Sequence, residues 1–246
     1  MALPILETAT YELTLPSKDV TVKFRPFLVK EEKILLQALE SGSNKEMTEA
    51  LKQIVHTCTF GKVNINTLPI FDVEYIFLQI RSKSVGEIAK LKLLCPDDKK
   101  TYAEVEVDLS KVEVHVDEDH TNNIVVDEKR KIGLVMSYPT INSVDPENVG
   151  KKSMKTKQMF EILANTVYQV YEGDKIQSAS DYTKDELNKF LESLDSKAFK
   201  KINEFFDTMP KLKQEVEIEN PKTKVKSKLT LAGLQDFFVS PSLTKV

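Results

Sequence analysis

An α+β fold is what this sequence predicts: two related modules, each of amphipathic helices followed by a zinc-ribbon-like β-hairpin, with an N-terminal β-hairpin and a small central β segment. Three observations carry that expectation. Apolar stripes at helical spacing run through residues 44–83 and again through 155–209. Strict alternation flanks a Cys-Pro knuckle in LKLLCPDDKKTYAEVEVDL, residues 91–109. The same grammar returns in VEIENPKTKVKSKLTL, residues 216–231, with Asn220-Pro221 standing where Cys95-Pro96 stood. The expected organisation is an N-terminal hairpin over 1–27, a first module over 28–112, a central β segment and loop over 113–152, and a second module with a C-terminal tail over 153–246.

Each element follows from local pattern. Tyr11, Leu13 and Leu15 alternate before Pro16-Ser17-Lys18-Asp19, and Val20, Val22 and Phe24 alternate after it, which predicts a hairpin with a polar turn. The spacing then changes: Ile34, Leu35, Ala38 and Leu39 share one helical face, and Gly42 is a stop. A second helix from about residue 44 carries Met47, Leu51, Ile54, Val55 and Cys58 on one stripe. A third begins near Thr67, tolerates Pro69 in its first turn, and aligns Val73, Ile76, Phe77 and Ile80.

Leu91 and Leu93, then Val105 and Val107, form the first knuckle hairpin. Residues 110–150 hold two or three short alternating stretches, ending in the loop-like TINSVDPENVG. From about 153 a helix is expected to carry Phe160, Leu163, Val167, Val170 and Tyr171. In YTKDEL, Thr183 and Glu186 form a capping box and Tyr182 with Leu187 a hydrophobic staple. Leu187, Phe190, Leu191 and Leu194 line that helix, and Phe199, Ile202, Phe205, Phe206 and Met209 line the next, which ends at Pro210. Val216 and Ile218, then Val225, Ser227, Leu229 and Leu231, make the second hairpin.

Composition narrows function. The 246 residues are 41% hydrophobic and 30% charged, a globular balance, with a net charge of −3 and no basic block, which argues against nucleic acid as a partner. Only 7 glycines are present, and neither GxGxxG nor GxxxxGK[ST] occurs, so phosphate-cradling chemistry and a nucleotide cofactor are not expected. No apolar run reaches a membrane span, and MALPILETATYELTLPSKD lacks the charged and apolar regions of a leader, so a cytoplasmic setting is expected.

Catalytic and metal chemistry are not expected either. A structural zinc requires four Cys or His ligands, usually as CxxC pairs. The first knuckle has Cys95 with Asp98 at the partner position, and the second has Asn220 and Thr223. Asp117, Glu118, Asp119 and His120 lack the spacing of a calcium loop and read as a solvated turn. There is no GxSxG elbow, and Cys58 and His56 point to nearly opposite sides of their helix. Binding surfaces remain. Phe24, Arg25, Pro26 and Phe27 form an aromatic-flanked strand-to-helix junction, and Phe237 with Phe238 stands ahead of a Ser/Pro-containing end; both are candidate partner contacts.

Three strings, FRPFLVKEEKILLQALESG, DYTKDELNKFLESL and FFDTMPKLKQEVEIE…LTLAGLQDFF, resemble the baseplate hub protein family of T4-like contractile-tailed bacteriophages. The similarity covers both ends and most of the second module; residues 113–150 are least recognisable. The resemblance implies a non-enzymatic hub subunit or hub assembly protein, whose partners are other baseplate hub or tail proteins. The resemblance implies relatives that often carry CxxC pairs at the two knuckles, and because this chain does not, no metal is carried over. The competing expectation is a nucleic-acid-binding module built on degenerate zinc-ribbon hairpins, drawn from Lys222, Lys224, Lys226 and Lys228 along one predicted strand face.

Overall fold

Alternation at the N-terminus produces the hairpin expected of it: β1 (Tyr11–Thr14) pairs antiparallel with β2 (Thr21–Phe24), Tyr11 opposite Phe24. The structure, a computed structural model, describes residues 7–143 and 156–237. The chain divides into two units, one comprising Met1–His115 and Lys211–Val246, the other Val116–Pro210.

In the first unit, α1 (Val29–Ser41) ends at Gly42, whose φ of 63° is a left-handed stop that glycine adopts without steric cost. Ser43 caps α2 (Asn44–Cys58) by accepting the Glu46 N–H at 3.3 Å. A short 3-10 turn at Ile65–Thr67 precedes α3 (Ile70–Val85), so the third helix starts after Pro69 and not at Thr67. Asp72 in the first turn of α3 is buried and accepts the Ser17 N–H at 3.2 Å and the Ser17 hydroxyl, which fixes the β1–β2 turn to the helix. Helix α1 packs on α2 and α2 on α3, around Leu35, Ile54, Val55, Ile76 and Phe77.

The first knuckle hairpin is β3 (Ile88–Leu94) with β4 (Tyr102–Asp108). The short β5 (Glu113–His115) forms one edge of a three-stranded sheet with β10 (Lys211–Glu219) and β11 (Lys226–Ala232), in the order β11-β10-β5. Strand β10 packs against β4, and α3 against both β5 and β10. Leu91, Val107, Leu109 and Leu212 are enclosed there.

In the second unit, β6 (Asn123–Asp127), β7 (Ile132–Met136), β8 (Val167–Glu172) and β9 (Lys175–Ser178) form one antiparallel sheet in chain order. Helices α4 (Thr156–Thr166), α5 (Lys184–Glu192) and α6 (Ser196–Thr208) supply Leu163, Leu187, Leu191, Ile202 and Phe205 to a core shared with Ile124, Leu134, Met136 and Val167 of that sheet. The capping box is present: Thr183 Oγ1 accepts the Glu186 N–H at 3.3 Å, and Glu186 Oε2 accepts the Thr183 N–H at 2.8 Å.

The fold expectation is corrected on two points. The described residues hold six α-helices and 11 strands in four antiparallel sheets, a mixed α/β architecture with no zinc-ribbon hairpin and no repeated helix-plus-hairpin module. The reason lies at Thr166. The helix expected to continue through Val170 and Tyr171 stops there, because Val167-Tyr168-Gln169-Val170-Tyr171 is β-branched and aromatic and pairs with β7. With a sheet to bury their stripes, α4 to α6 pack on β6–β9, and β10–β11 falls instead in the unit that holds the first hairpin. The β8–β9 turn, closed at Gly173 with a φ of 59°, pairs β8, expected as the end of a helix, with β9, for which no element was expected.

Candidate functional site

The FRPF junction is built around a buried ion pair. Phe24 closes β2 with its ring 5.6 Å from that of Tyr11, and the Arg25 N–H donates to the Cys58 carbonyl at 2.9 Å, tying the strand end to the end of α2. Arg25 Nη2 donates to Glu31 Oε1 at 2.9 Å, and Nη1 to the Pro26 carbonyl at 2.8 Å. The other Glu31 oxygen accepts the Leu28 N–H at 2.8 Å and so caps α1. Burial opposes ionisation of Glu31, but the Arg25 hydrogen bond and the Leu28 amide outweigh it and hold its pKa below the ordinary value. Nearby, burial pushes the Cys58 thiol up to about 11, so it is an inert core group.

Of the residues expected to contact a partner here, Phe24, Arg25 and Phe27 are buried and Pro26 is half-buried. What the junction displays is the next pair: Leu28 is half-exposed, and Val29 is 80% exposed at the first turn of α1. The sequence held a signal for this, since Leu28 and Val29 are apolar residues standing ahead of the α1 stripe.

At the other end, Phe237 is 1% exposed in a 3-10 turn, Leu234–Phe237, while Phe238 lies outside the described residues. That turn is held by two carboxylates. Asp236 accepts the Ala232 N–H at 2.8 Å, and Glu74 of α3 accepts the Leu234 N–H at 3.2 Å. Burial pushes the Glu74 carboxyl up to about 7, the Leu234 amide only partly offsetting it.

The two hairpin tips are brought together. Asp97 accepts Asn220 Nδ2 on both carboxylate oxygens at 3.0 Å, and the Thr223 hydroxyl at 2.5 Å. Asn220 Oδ1 accepts the Lys222 N–H at 2.9 Å, closing its own turn, while Asp98 closes the first turn by accepting the Thr101 N–H at 2.9 Å and hydroxyl at 2.6 Å. Those bonds hold the Asp98 pKa far below the usual carboxylate range. The Cys95 side chain is buried beneath this turn as a free thiol. Side-chain hydrogen bonds therefore do the work at the tips that ligands would do in a metal knuckle. Among the described residues no three His, Cys, Asp or Glu side chains are grouped to hold a metal ion.

Two of the four lysines are faced by acidic residues of β10: Lys228 on β11 lies 3.6 Å from Glu217, and Lys224 in the turn before it 3.9 Å from Glu219. His120, expected in a solvated turn, is half-buried instead. Its ring stacks on Tyr138 with centroids 5.7 Å apart and lies 5.3 Å from Phe205, with the nitrogens on Thr208 Oγ1 at 2.9 Å and Tyr138 Oη at 3.0 Å. No helix among the described residues is long and apolar enough to cross a membrane.

Comparison with known proteins finds one family: the model for the T4 bacteriophage base plate protein matches residues 8–239. Neither the comparison with curated proteins nor that with solved structures gives a match.

Proposed function

Given that this chain belongs to the T4 bacteriophage base plate protein family, we propose that it serves the central hub of the baseplate, as a hub subunit or as a factor that assembles the hub. It works through protein surfaces and without catalysis, in the host cytoplasm during assembly, and its partners are other hub or tail proteins. The observation that carries this reading is the family match over nearly the whole chain, 8–239. Three features supply the surfaces. The exposed Leu28–Val29 pair extends the FRPF junction outward, with Phe24 and Phe27 as its buried footing and Arg25 fixing its geometry. Strand β11 is a sheet edge, able to accept an added strand. The tail that follows the buried Phe237, beginning with Phe238 and outside the described residues, is the third.

The pairing of Lys224 with Glu219 and of Lys228 with Glu217 weighs against a nucleic-acid role, because a phosphate backbone would have to compete with carboxylates already in place.

Quantitative mass spectrometry of purified virions and of lysate from infected cells tests the reading. A stoichiometric presence in virions identifies a hub subunit, and presence on tail intermediates in the lysate with absence from virions identifies an assembly factor. Absence of the chain from tail intermediates and virions alike, when it is abundant in the lysate as a free species, overturns a hub role. Replacing Leu28 and Val29 with Ser is expected to weaken partner binding while leaving the helical signal intact; unchanged binding removes the junction from the interface.

A further inference from the structure

Phe60 occupies a position that neither backbone preference nor core packing accounts for. It follows the end of α2 with a φ of 58°, and Gly61 follows with a φ of 68°, so the chain turns off the helix through two successive left-handed residues. The turn is closed by the Gly61 N–H on the His56 carbonyl at 2.8 Å and the Phe60 N–H on the Thr57 carbonyl at 3.2 Å. Glycine or asparagine suits the first of these residues, and a bulky aromatic there is strained. The strain does not serve the interior, since Phe60 is 49% exposed. The left-handed turn closes the end of α2, but that closure does not call for an exposed aromatic ring.

Beside this turn lies a cleft of about 730 Å³ between the exposed face of α2 and the loop that follows. Lys52 and His56 line it from the helix, and Lys62, Asn64 and Asn66 from the loop. Glu49 is the one acidic residue on its described lining, and it is held by Lys52 Nζ at 3.0 Å. With Lys52 and Glu49 paired, Lys62 leaves this amide-rich recess with a positive balance in a chain whose net charge is −3, and Phe60 directly precedes its lining residue Gly61. That combination fits an acidic side chain seated in the cleft and an apolar side chain resting on the ring.

We propose that Phe60 and the Lys52–His56–Lys62 cleft form a docking site for a segment of another tail protein that carries an apolar residue next to Asp or Glu. The proposal rests on the baseplate reading for its choice of partner class. Phe60 is the anchor; Lys62 supplies the charge complement.

Peptides of 15 residues tiling the other tail proteins of the same phage, measured by fluorescence anisotropy against the full chain, test it. Tight binders are expected to be of acidic-apolar composition and to lose affinity as salt rises. Phe60→Gly and Phe60→Asn should each weaken them at least tenfold while leaving the thermal midpoint unchanged or higher, because both relieve the left-handed strain. Lys62→Glu should weaken them at least tenfold without unfolding the chain. Three results overturn the proposal: binders indifferent to these substitutions, which leaves the baseplate reading standing on other surfaces; a midpoint lowered by both Phe60 variants, which makes the ring a structural group; or no binder at all. The presence of the chain in virions or tail intermediates is decided separately, so this site can fail without the baseplate reading failing.

Discussion

Asp97 and Asn220, 123 positions apart in sequence, are joined at 3.0 Å through both oxygens of the Asp97 carboxylate. The bond links the tips of two hairpins drawn from the two chain segments that make up the first unit, and Thr223 adds a third contact. The Thr223 and Asn220 bonds lower the Asp97 pKa, so the linkage is present above the unfolded carboxylate value near 3.8 and is lost as pH falls through the lower folded value. Asp97→Ala is expected to lower the unfolding midpoint by a few degrees and to speed amide exchange at both tips. In a double-mutant cycle with Asn220→Ala the losses should be less than additive; strict additivity would mean the two tips are not coupled.

The Arg25–Glu31 pair is the most enclosed ion pair among the described residues, with side chains 10% and 2% exposed. Removing Arg25 leaves Glu31 charged and buried, with only the exposed Lys30 ammonium, 3.5 Å away, to answer it. Arg25→Ala should therefore cost about 3–5 kcal/mol by chemical denaturation, and Arg25→Met with Glu31→Gln should cost much less, since Gln still offers an oxygen to the Leu28 amide. If the double variant is no more stable than Arg25→Ala alone, an unpaired buried charge is not the source of the loss.

How far the sequence disclosed this molecule depends on the range of the interaction that decides each element. The cap at Thr183, the stop at Gly42 and the hairpin turns are set by neighbours within a few residues, and they were legible. The switch from α4 to β8 was not, because Val167, Val170 and Tyr171 satisfy helical spacing as well as strand composition, and only the presence of β7 decides between them. The same limit explains the false repeat. Two hairpins with similar wording suggested two modules, when long-range contacts place both hairpins in one unit. At the candidate site, Phe24 and Phe237 were visible as aromatics, but burial assigns them to the interior; Leu28 and Val29 carry only the weak signal of apolar residues ahead of the α1 stripe, and exposure at Phe60 has no signature in local pattern.

Gly133 in the middle of β7 faces Tyr171 of β8, whose hydroxyl reaches across it to donate to Asn123 Oδ1 at 2.7 Å. A Cβ at position 133 would stand 2.1 Å from that hydroxyl oxygen, so the ring must leave and its hydrogen bond with it. Gly133→Ala is expected to destabilise the second unit by about 1–2 kcal/mol, the usual worth of a displaced hydrogen bond and its packing. Once Tyr171 has been replaced by Ala, the same substitution should cost little. An equal cost in both backgrounds would place its origin in the backbone and not in the ring.

Glu74 sets the pH dependence of the C-terminal turn. Its carboxyl titrates near 7 in the folded chain against an ordinary value of 4.5. A folded pKa raised in this way means that the folded state binds the proton more tightly than the unfolded state. The favourable contribution is complete below about pH 4.5 and is lost as pH rises to about 7, where the charged carboxylate must be accommodated under the Leu234–Phe237 turn. Glu74→Gln keeps an oxygen for the Leu234 amide and removes the charge. It should therefore match the parent chain at pH 4.5 and exceed it by about 2 kcal/mol at pH 8, with slower amide exchange at Leu234. Urea unfolding at the two pH values gives the comparison directly. A difference that does not change with pH would mean the carboxyl is solvated in the folded chain, and the turn would then owe its position to Phe237 packing alone.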